Sequence, residues 1–346
     1  MTSTSRQENI FLRALRPSST AEQKSGPPPV WLMRQAGRYQ KEYREIRERV
    51  SFLELCRTPD LAAQVTVFAV RQLEVDAAII FADILLILDE LGLSLRFEEN
   101  HGPIFDKPVR SLADVDALPE VPMHENLAYV GKAIEIAVKE LGSTPVIGFA
   151  GAPFTVASYA IEGGSSRNFT RTKCFMYEEP VAFERLMTKL TDATIDYLKM
   201  QIACGASCVQ LFDSWVGCLS PFDFDTFIAP HMKRLFDSVT PLSPSIYFGT
   251  TTAGLLKRMA ATGPDIIGVD WRMDLDRAWS LIGHERGIQG NLDPVVLLSD
   301  RATIKSHASR VLEQAAGRPR HIFNLGHGIL PQTPVDNARY LVEVVR

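Results

Sequence analysis

The chain has 346 residues, of which 46% are hydrophobic and 23% charged, the balance of an ordinary globular protein. This composition excludes a disordered, collagen-like or disulfide-stapled chain, and the length is ample for a full hydrophobic core. The 37 basic and 41 acidic residues give a net charge of −4. The chain therefore lacks a global basic field for nucleic acid or an anionic membrane, and an anionic ligand would need cations gathered locally.

The five cysteines form no Cys-x-x-Cys pair, and their odd number is typical of a reducing compartment. No apolar run reaches the roughly 20 residues of a membrane span, and residues 1–8 are too polar for a signal peptide. We therefore expect a cytoplasmic protein without a membrane or nucleic-acid partner. Cys204 and Cys208 are four residues apart, but no further Cys or His cluster accompanies them, so we expect no metal site.

In chain order, residues 1–29 form an N-terminal segment and residues 30–346 the predicted catalytic domain. The segment holds a short amphipathic piece at 10–15 and a linker at 16–29 that is rich in proline, serine and glycine. Such a linker is expected to be mobile or draped over the main body.

Short apolar or β-branched runs recur along the main body, each ending at a polar residue, glycine or proline. They predict strands over 30–33, 77–81, 146–149, 208–212, 245–248, 266–269, 287–290 and 321–325. Helical stripes lie between them, over 41–49, 128–141 and from Phe183 to an end at Gly205. Continuous apolar strands indicate a parallel sheet covered on both faces, so eight units predict a (β/α)8 barrel. A doubly wound open sheet is the alternative, but no Gly-x-Gly-x-x-Gly follows the first strand.

Catalytic residues of such barrels come from the carboxyl ends of the strands, so the polar residues there are the candidates. Arg34 and Arg38 follow the first strand around Gly37; each could fork onto a carboxylate or phosphate, or simply begin the next helix. Asp83 follows the second strand within an otherwise apolar run. It either caps the following turn or is a buried carboxylate that faces a ligand's N–H groups or a developing positive charge.

Two further strand ends carry polar residues. Asp213 and Ser214 follow the fourth strand, where we expect capping or barrel-lining roles. His327 follows the eighth strand between two glycines, an arrangement that lets a ligand and the backbone N–H groups approach closely.

Several of these motifs match a known family. PVWLMRQAGRY at 29–39 resembles the N-terminal signature of the uroporphyrinogen decarboxylase family nearly residue for residue. GFAGAPFT at 148–155 resembles its second signature, and Tyr159 follows at the expected place. FADIL at 81–85, QLFDSW at 210–215 and NLGHG at 324–328 match as well. The similarity extends from about Phe11 to the C-terminus and departs only at 17–24, where the linker is longer than usual.

The resemblance implies a cytoplasmic, homodimeric, cofactor-free barrel enzyme of haem biosynthesis. It would convert uroporphyrinogen III to coproporphyrinogen III by removing carbon dioxide from four acetate side chains. Asp83 would stabilise a cationic ring intermediate, while Arg34 and Arg38 would bind carboxylates and one of them would relay a proton. The other substrate-binding positions implied are Gln35, Ala36 and Gly37, through backbone N–H groups, and Tyr159, Ser214 and His327, through side chains.

Two alternatives stay open. A zinc- and corrinoid-linked methyltransferase of the same barrel superfamily would need a His-x-Cys pair and a distant cysteine, a pattern the sequence lacks. A tetrapyrrole-binding protein without turnover would use the same two arginines. It would have no need of the Asp83 carboxylate beside an anionic ligand.

Overall fold

The computed structural model describes residues 9–17, 26–98 and 102–346. Residues 1–8 and most of the predicted linker lie outside this part, so the expectations for them stay predictions. The strands are β1 (Ala78–Ile79), β2 (Leu95–Glu98), β3 (Gly102–Phe105), β4 (Val146–Gly151), β5 (Cys208–Asp213), β6 (Ser245–Gly249), β7 (Ile266–Gly268), β8 (Gly287–Leu292) and β9 (His321–Leu325).

Seven of these strands, among the residues described, form one parallel sheet in the order β1-β4-β5-β6-β7-β8-β9. Val30 closes the sheet into a ring. It makes a parallel bridge to Phe323 of β9, and its carbonyl accepts a hydrogen bond from the Asp76 N–H at 2.8 Å, next to β1. The ring with its covering helices is the predicted (β/α)8 barrel, and the doubly wound alternative is wrong.

The predicted first strand, 30–33, is the one that departs most from expectation, because the bridge is all that remains of it. The Met33 N–H donates to the Asn324 side chain at 3.0 Å, and the Leu32 N–H donates to the Gln35 side chain at 3.2 Å. Side-chain oxygens therefore replace the carbonyls of a neighbouring strand, and the ladder ends early. The other seven predicted strands are present, with the second shortened to β1.

The inside of the barrel is a packed core with a short polar relay. All residues of β4, β6, β8 and β9 are buried. Trp31 Nε1 donates to Gln289 at 3.0 Å, and Gln289 donates to Gln210 at 2.9 Å. Since side chains fill the interior, a ligand is accommodated at an end of the barrel and not along its axis.

Helices cover the barrel on the outside. The predicted helix over 128–141 is confirmed, that over 41–49 ends at Arg47, and the apolar stripe that begins near Phe183 belongs to a helix that ends just before Gly205. The helices are α1 (Ile10–Leu15), α2 (Lys41–Arg47), α3 (Phe52–Arg57), α4 (Pro59–Leu73), α5 (Leu86–Glu90), α6 (Leu112–Ala117), α7 (Met123–Asn126), α8 (Ala128–Leu141), α9 (Pro153–Glu162), α10 (Thr170–Glu178), α11 (Pro180–Ala203), α12 (Pro221–Asp223), α13 (Ala229–Val239), α14 (Leu256–Ala261), α15 (Leu275–Ile282), α16 (Arg301–Ala315) and α17 (Val335–Val345). Shorter helical turns are Val216–Cys218, Phe224–Ile228 and Pro294–Leu298.

Two features lie outside the barrel proper. Helix α1 packs against it through Phe11 and Leu15, which are buried in the same core. Strands β2 and β3 form an antiparallel hairpin, and Ile104 of this hairpin bridges Gly164 in the loop after α9. The hairpin is not among the predicted strands, although apolar and polar residues alternate over 93–98, as in a half-buried strand. In the described part of the chain, no helix is long and apolar enough to cross a membrane.

Candidate active site

The candidate residues gather at the carboxyl end of the barrel because every strand of a parallel sheet points the same way. We call this end the carboxyl rim; it comprises the loops that follow Val30, β1, β5, β7 and β9, together with helix α9. Asp83 follows β1, Ser214 follows β5 and His327 follows β9. This is the end at which ligands bind in such barrels.

Asp83 combines both roles that the sequence left open. Its Oδ1 accepts a hydrogen bond from the Leu85 N–H at 2.8 Å and so caps the turn that leads into α5. Its Oδ2 has no hydrogen-bond donor among the residues described. Burial raises the pKa of Asp83, and the Leu85 N–H and the Arg34 guanidinium oppose that shift. The side chain is thus a fixed, poorly hydrated carboxylate with one oxygen left for a ligand.

Arg34 and Arg38 are exposed, and neither has a carboxylate within 4 Å in the described part of the chain. Arg34 lies in the left-handed backbone region, with φ at 60°. Its side chain extends over Gly328, where an added Cβ would lie 2.4 Å from Arg34 Cδ. Two unneutralised guanidinium groups on one loop favour the binding of carboxylates.

The loop between the two arginines holds itself in place. The buried Gln35 side chain donates to the Ala77 carbonyl at 3.1 Å. The Gln35 N–H donates to the Leu32 carbonyl at 2.9 Å, and the Gly37 N–H donates to the Gln40 side chain at 3.0 Å. Both N–H groups therefore already have acceptors inside the protein, and the implied roles of Gln35 and Gly37 in substrate binding stay predictions.

Ala36 differs from its two neighbours. No acceptor for its N–H group lies among the described residues, so this donor is left for the substrate-binding role that stays a prediction for Ala36 as well. The Gln35 carbonyl accepts from the Tyr39 hydroxyl at 2.6 Å, which further fixes the loop.

Tyr159 lies on α9 and stacks on Trp215, with the ring centroids 3.8 Å apart. Burial, and after it the nearby Asp83 carboxylate, raise the pKa of Tyr159 to about 12, while Arg34 opposes this shift. The phenol is therefore protonated at neutral pH and can donate a hydrogen bond. Trp215 is a residue of the site that the sequence analysis quoted in a motif but gave no role.

His327 is an uncharged donor at neutral pH. Burial, and then the positive charges of Arg34 and Arg272, lower its pKa to about 4. The glycines beside it are needed for close packing. An added Cβ at Gly326 would lie 2.6 Å from the Trp271 backbone nitrogen, just as one at Gly328 would meet Arg34.

Asp213 is a buried support of the rim rather than a helix cap. Its Oδ1 accepts from the Thr155 hydroxyl at 2.6 Å and its Oδ2 from the Tyr247 hydroxyl at 2.7 Å. Burial raises the pKa of Asp213 to about 6, although both hydrogen bonds lower it. Thr155 also accepts from the Trp215 N–H at 3.2 Å. This network holds the chain beside the half-buried Ser214.

The structure thus brings four predicted residues together. Arg34 acts electrostatically on Asp83, Tyr159 and His327, three residues that lie far apart in the sequence. The charge of Arg38 is among those that act on Tyr43, a residue of the following helix α2. The cluster unites a carboxylate, a cation and two neutral donors.

The chain is similar to known proteins over nearly its whole length. A family model described as uroporphyrinogen decarboxylase (URO-D) matches residues 7–346. The chain belongs to the uroporphyrinogen decarboxylase family. The uroporphyrinogen decarboxylase of Carboxydothermus hydrogenoformans is 51% identical over 339 residues, which are 97% of this chain and 95% of that protein. That of Chloroflexus aurantiacus is 50% identical over 343 residues, with the same coverage of 97% and 95%.

A solved structure with a similar fold supports the barrel architecture of this uroporphyrinogen decarboxylase family member. A methyltransferase from Methanosarcina mazei matches with a TM-score of 0.81 and covers 98% of both chains, at 20% identity. Likeness at that identity shows the barrel and nothing of the chemistry. Among the residues described, no three His, Cys, Asp or Glu side chains form a group that could hold a metal ion. Membership in the decarboxylase family does not favour the methyltransferase alternative.

Proposed function

We propose that this chain decarboxylates the four acetate side chains of uroporphyrinogen III to give coproporphyrinogen III in tetrapyrrole biosynthesis. A proton first adds to the pyrrole carbon beside the acetate-bearing one and makes a cationic ring. The C–C bond to the carboxylate then breaks, carbon dioxide leaves, and the electron pair passes into that ring. A second proton then adds to the exocyclic carbon and completes the methyl group. The ring carbon loses the first proton, which restores the neutral pyrrole. Each acetate therefore consumes one proton and releases one carbon dioxide.

The observation that carries this proposal is the cluster of Arg34, Asp83, Tyr159 and His327 at the carboxyl rim. Decarboxylation needs an electron sink, which most enzymes obtain from a cofactor. Here the protonated pyrrole supplies the sink, so we propose a cofactor-free reaction without a metal. Oδ2 of Asp83 has no donor among the described residues, which supports a catalytic role for this side chain. It would accept hydrogen bonds from the pyrrole N–H groups and stabilise the ring cation. A preorganised partner of this kind is worth about 2.7–4 kcal/mol in the transition state.

The remaining side chains of the rim are proposed to hold the substrate's carboxylates. Arg34 and Arg38 suit this role because a guanidinium binds a carboxylate with two parallel hydrogen bonds. Tyr159, Ser214 and His327 would add neutral donors, which supply direction without further charge. A free guanidinium does not release a proton readily, so an arginine relay would need either a strained or desolvated arginine or water held by it.

The proposal is tested by anaerobic incubation with freshly reduced uroporphyrinogen III in the presence of a chelator. After oxidation, the products are separated by their number of carboxyl groups. We expect a ladder from eight carboxyls down to four that is unchanged by the chelator. A substrate that binds and keeps all eight carboxyls would overturn the proposal and leave a tetrapyrrole-binding protein. Activity that is lost with chelator would instead contradict the metal-free reaction.

We also infer that two copies associate, as the family resemblance implies, and that the protein works in the cytoplasm without a nucleic-acid or membrane partner. The apolar side chains of Tyr177, Val181 and Phe222 support association, since they are exposed on the neighbouring helices α10, α11 and α12. Phe222 is 74% exposed. Light scattering should give the mass of two chains for the wild type and of one for Phe222→Asp. A wild type with the mass of one chain would contradict the inference.

A further inference from the structure

Arg272 is a third cation at the carboxyl rim, and the sequence analysis gave it no role. It follows Asp270 and Trp271 in the loop after strand β7. Its guanidinium is among the charges that act on His327. The signal that could have found it is the one that found Asp213, a polar run directly after a predicted strand.

Packing places this loop against the loop that carries His327. An added Cβ at Gly326 would lie 2.6 Å from the Trp271 nitrogen and 3.0 Å from Trp271 Cε3. On the other side of the histidine in sequence, Gly328 contacts Arg34 in the same way. Because the two glycines lack side chains, Trp271 and Arg34 can pack against the backbone on either side of His327.

Arg272 is fixed and yet accessible. Its N–H donates to Asp270 Oδ1 at 3.0 Å and its Nη1 donates to Asp270 Oδ2 at 2.6 Å. The Thr251 N–H also donates to Asp270 Oδ2, at 2.6 Å, so the carboxylate is held from two loops. The guanidinium carbon lies 4.1 Å from the centre of the Trp271 ring. The Arg272 side chain is 47% exposed, whereas that of Asp270 is only 6% exposed.

This arrangement leaves donors for a ligand. A guanidinium carries five N–H donors in a planar fork, and Asp270 is its one carboxylate partner among the described residues. The ion pair and the aromatic ring restrict the rotamers of Arg272, so less conformational entropy is lost when a ligand binds.

We propose that Arg272 binds a carboxylate of the tetrapyrrole that the reaction does not remove, a propionate. This inference rests on the proposed function. In the ring of strands, β7 lies opposite β1, whose following loop carries Asp83, whereas Arg34 follows Val30, the neighbour of β1. Arg272 therefore lies farther from the reacting ring than Arg34 does. A residue that holds a propionate contributes to all four decarboxylations and also binds the product.

The test compares Arg272→Gln with the wild type in turnover and in product binding. We expect the KM for uroporphyrinogen III and the Kd for coproporphyrinogen III, measured by anaerobic calorimetry, each to rise about tenfold. The loss should fall mainly on KM, because the contact is made equally in the ground and transition states. Arg272→Lys keeps the charge without the fork, so its Kd should rise about threefold. The control Arg277→Gln makes the same charge change at an exposed position of α15 and should leave both constants unaltered.

The Asp270 carboxylate keeps two backbone donors in the glutamine variant, from Thr251 and from residue 272 itself, so the loop should remain folded. If the melting temperature nevertheless falls by more than about 3 °C, the lysine variant decides instead, since it retains the ion pair. An unchanged Kd in the deciding variant, or an equal rise in Arg277→Gln, would overturn the proposal.

Failure of the proposed function gives a different result. A wild type that does not decarboxylate uroporphyrinogen III refutes that function. The Kd for coproporphyrinogen III still measures what Arg272 contributes, because this tetrapropionate is bound without being converted.

Discussion

Replacement of Asp83 by asparagine tests the proposed catalytic role most directly. The change removes the charge and keeps the shape, and the amide oxygen can still accept from the Leu85 N–H, which lies 2.8 Å from Oδ1. The turn into α5 is therefore retained, and the loss falls on Oδ2, the oxygen that has no donor among the described residues. Because the ring cation loses its preorganised partner, we expect the barrier to rise by about 2.7–4 kcal/mol, a fall in kcat of about 10²–10³-fold.

The assay measures kcat from the release of carbon dioxide and the Kd for coproporphyrinogen III under the same anaerobic conditions. The Kd should rise far less than kcat falls, because the product offers Asp83 its pyrrole N–H groups but no ring cation to stabilise. Asp237→Asn is the matched control, since Asp237 is an exposed carboxylate on α13 that pairs with Lys233 at 2.8 Å. A wild-type kcat in Asp83→Asn, or an equal loss of turnover and product affinity, would refute the reasoning.

Three further predictions concern the cations of the rim and the charge of its histidine. Arg38→Lys should lower kcat/KM about tenfold because an ammonium cannot fork, and wild-type kinetics would contradict this. Gly328→Ala should raise KM about tenfold, since the new Cβ would lie 2.4 Å from Arg34 Cδ and displace its guanidinium; an unchanged KM would show that the contact is not needed. The pKa of His327 is about 4 in the folded protein, below the roughly 6.5 of an unfolded chain, so the unfolded state binds the extra proton between these values. The wild type should therefore lose stability as pH falls from 6.5 to 4, and urea unfolding should show this loss to be smaller in His327→Gln. His124 is the contrast, because a hydrogen bond to an aspartate raises its pKa, so the stability it contributes is already complete below about pH 6.5 and His124→Gln should leave the loss over this range unaltered.

The fold could be predicted from the sequence because the strands of a parallel barrel are apolar throughout and end abruptly. The loop after the first strand could not. Met33 loses its place in the ladder to the side chain of Asn324, a residue 291 positions away, and no local pattern encodes such a contact. Strand β2 is the opposite case, because apolar and polar residues alternate over 93–98 and this local pattern would have been enough to predict it.

The site residues likewise divide into those that the strand pattern predicts and those that depend on contacts formed only after folding. Asp83 and His327 could be found because strand ends of one sheet converge, which is a property of the topology. The use of the Gln35 and Gly37 N–H groups inside their own loop depends on where Leu32 and Gln40 lie after folding. The approach of Trp271 to Gly326 likewise depends on how two neighbouring strand-end loops pack against each other.

A chain with a net charge of −4 can bind an octa-anionic substrate because only nearby charges act strongly on it. At physiological ionic strength exposed charges are screened over about 8 Å, so the distant excess of acids matters little. At the rim, Arg34 and Arg38 have no carboxylate partner among the described residues, and the partner of Arg272 is a buried aspartate. Burial, and after it the charges of Arg34 and Arg272, keep His327 uncharged, since they lower its pKa. A neutral histidine can donate to a carboxylate without adding a positive charge that would compete with the ring cation for Asp83.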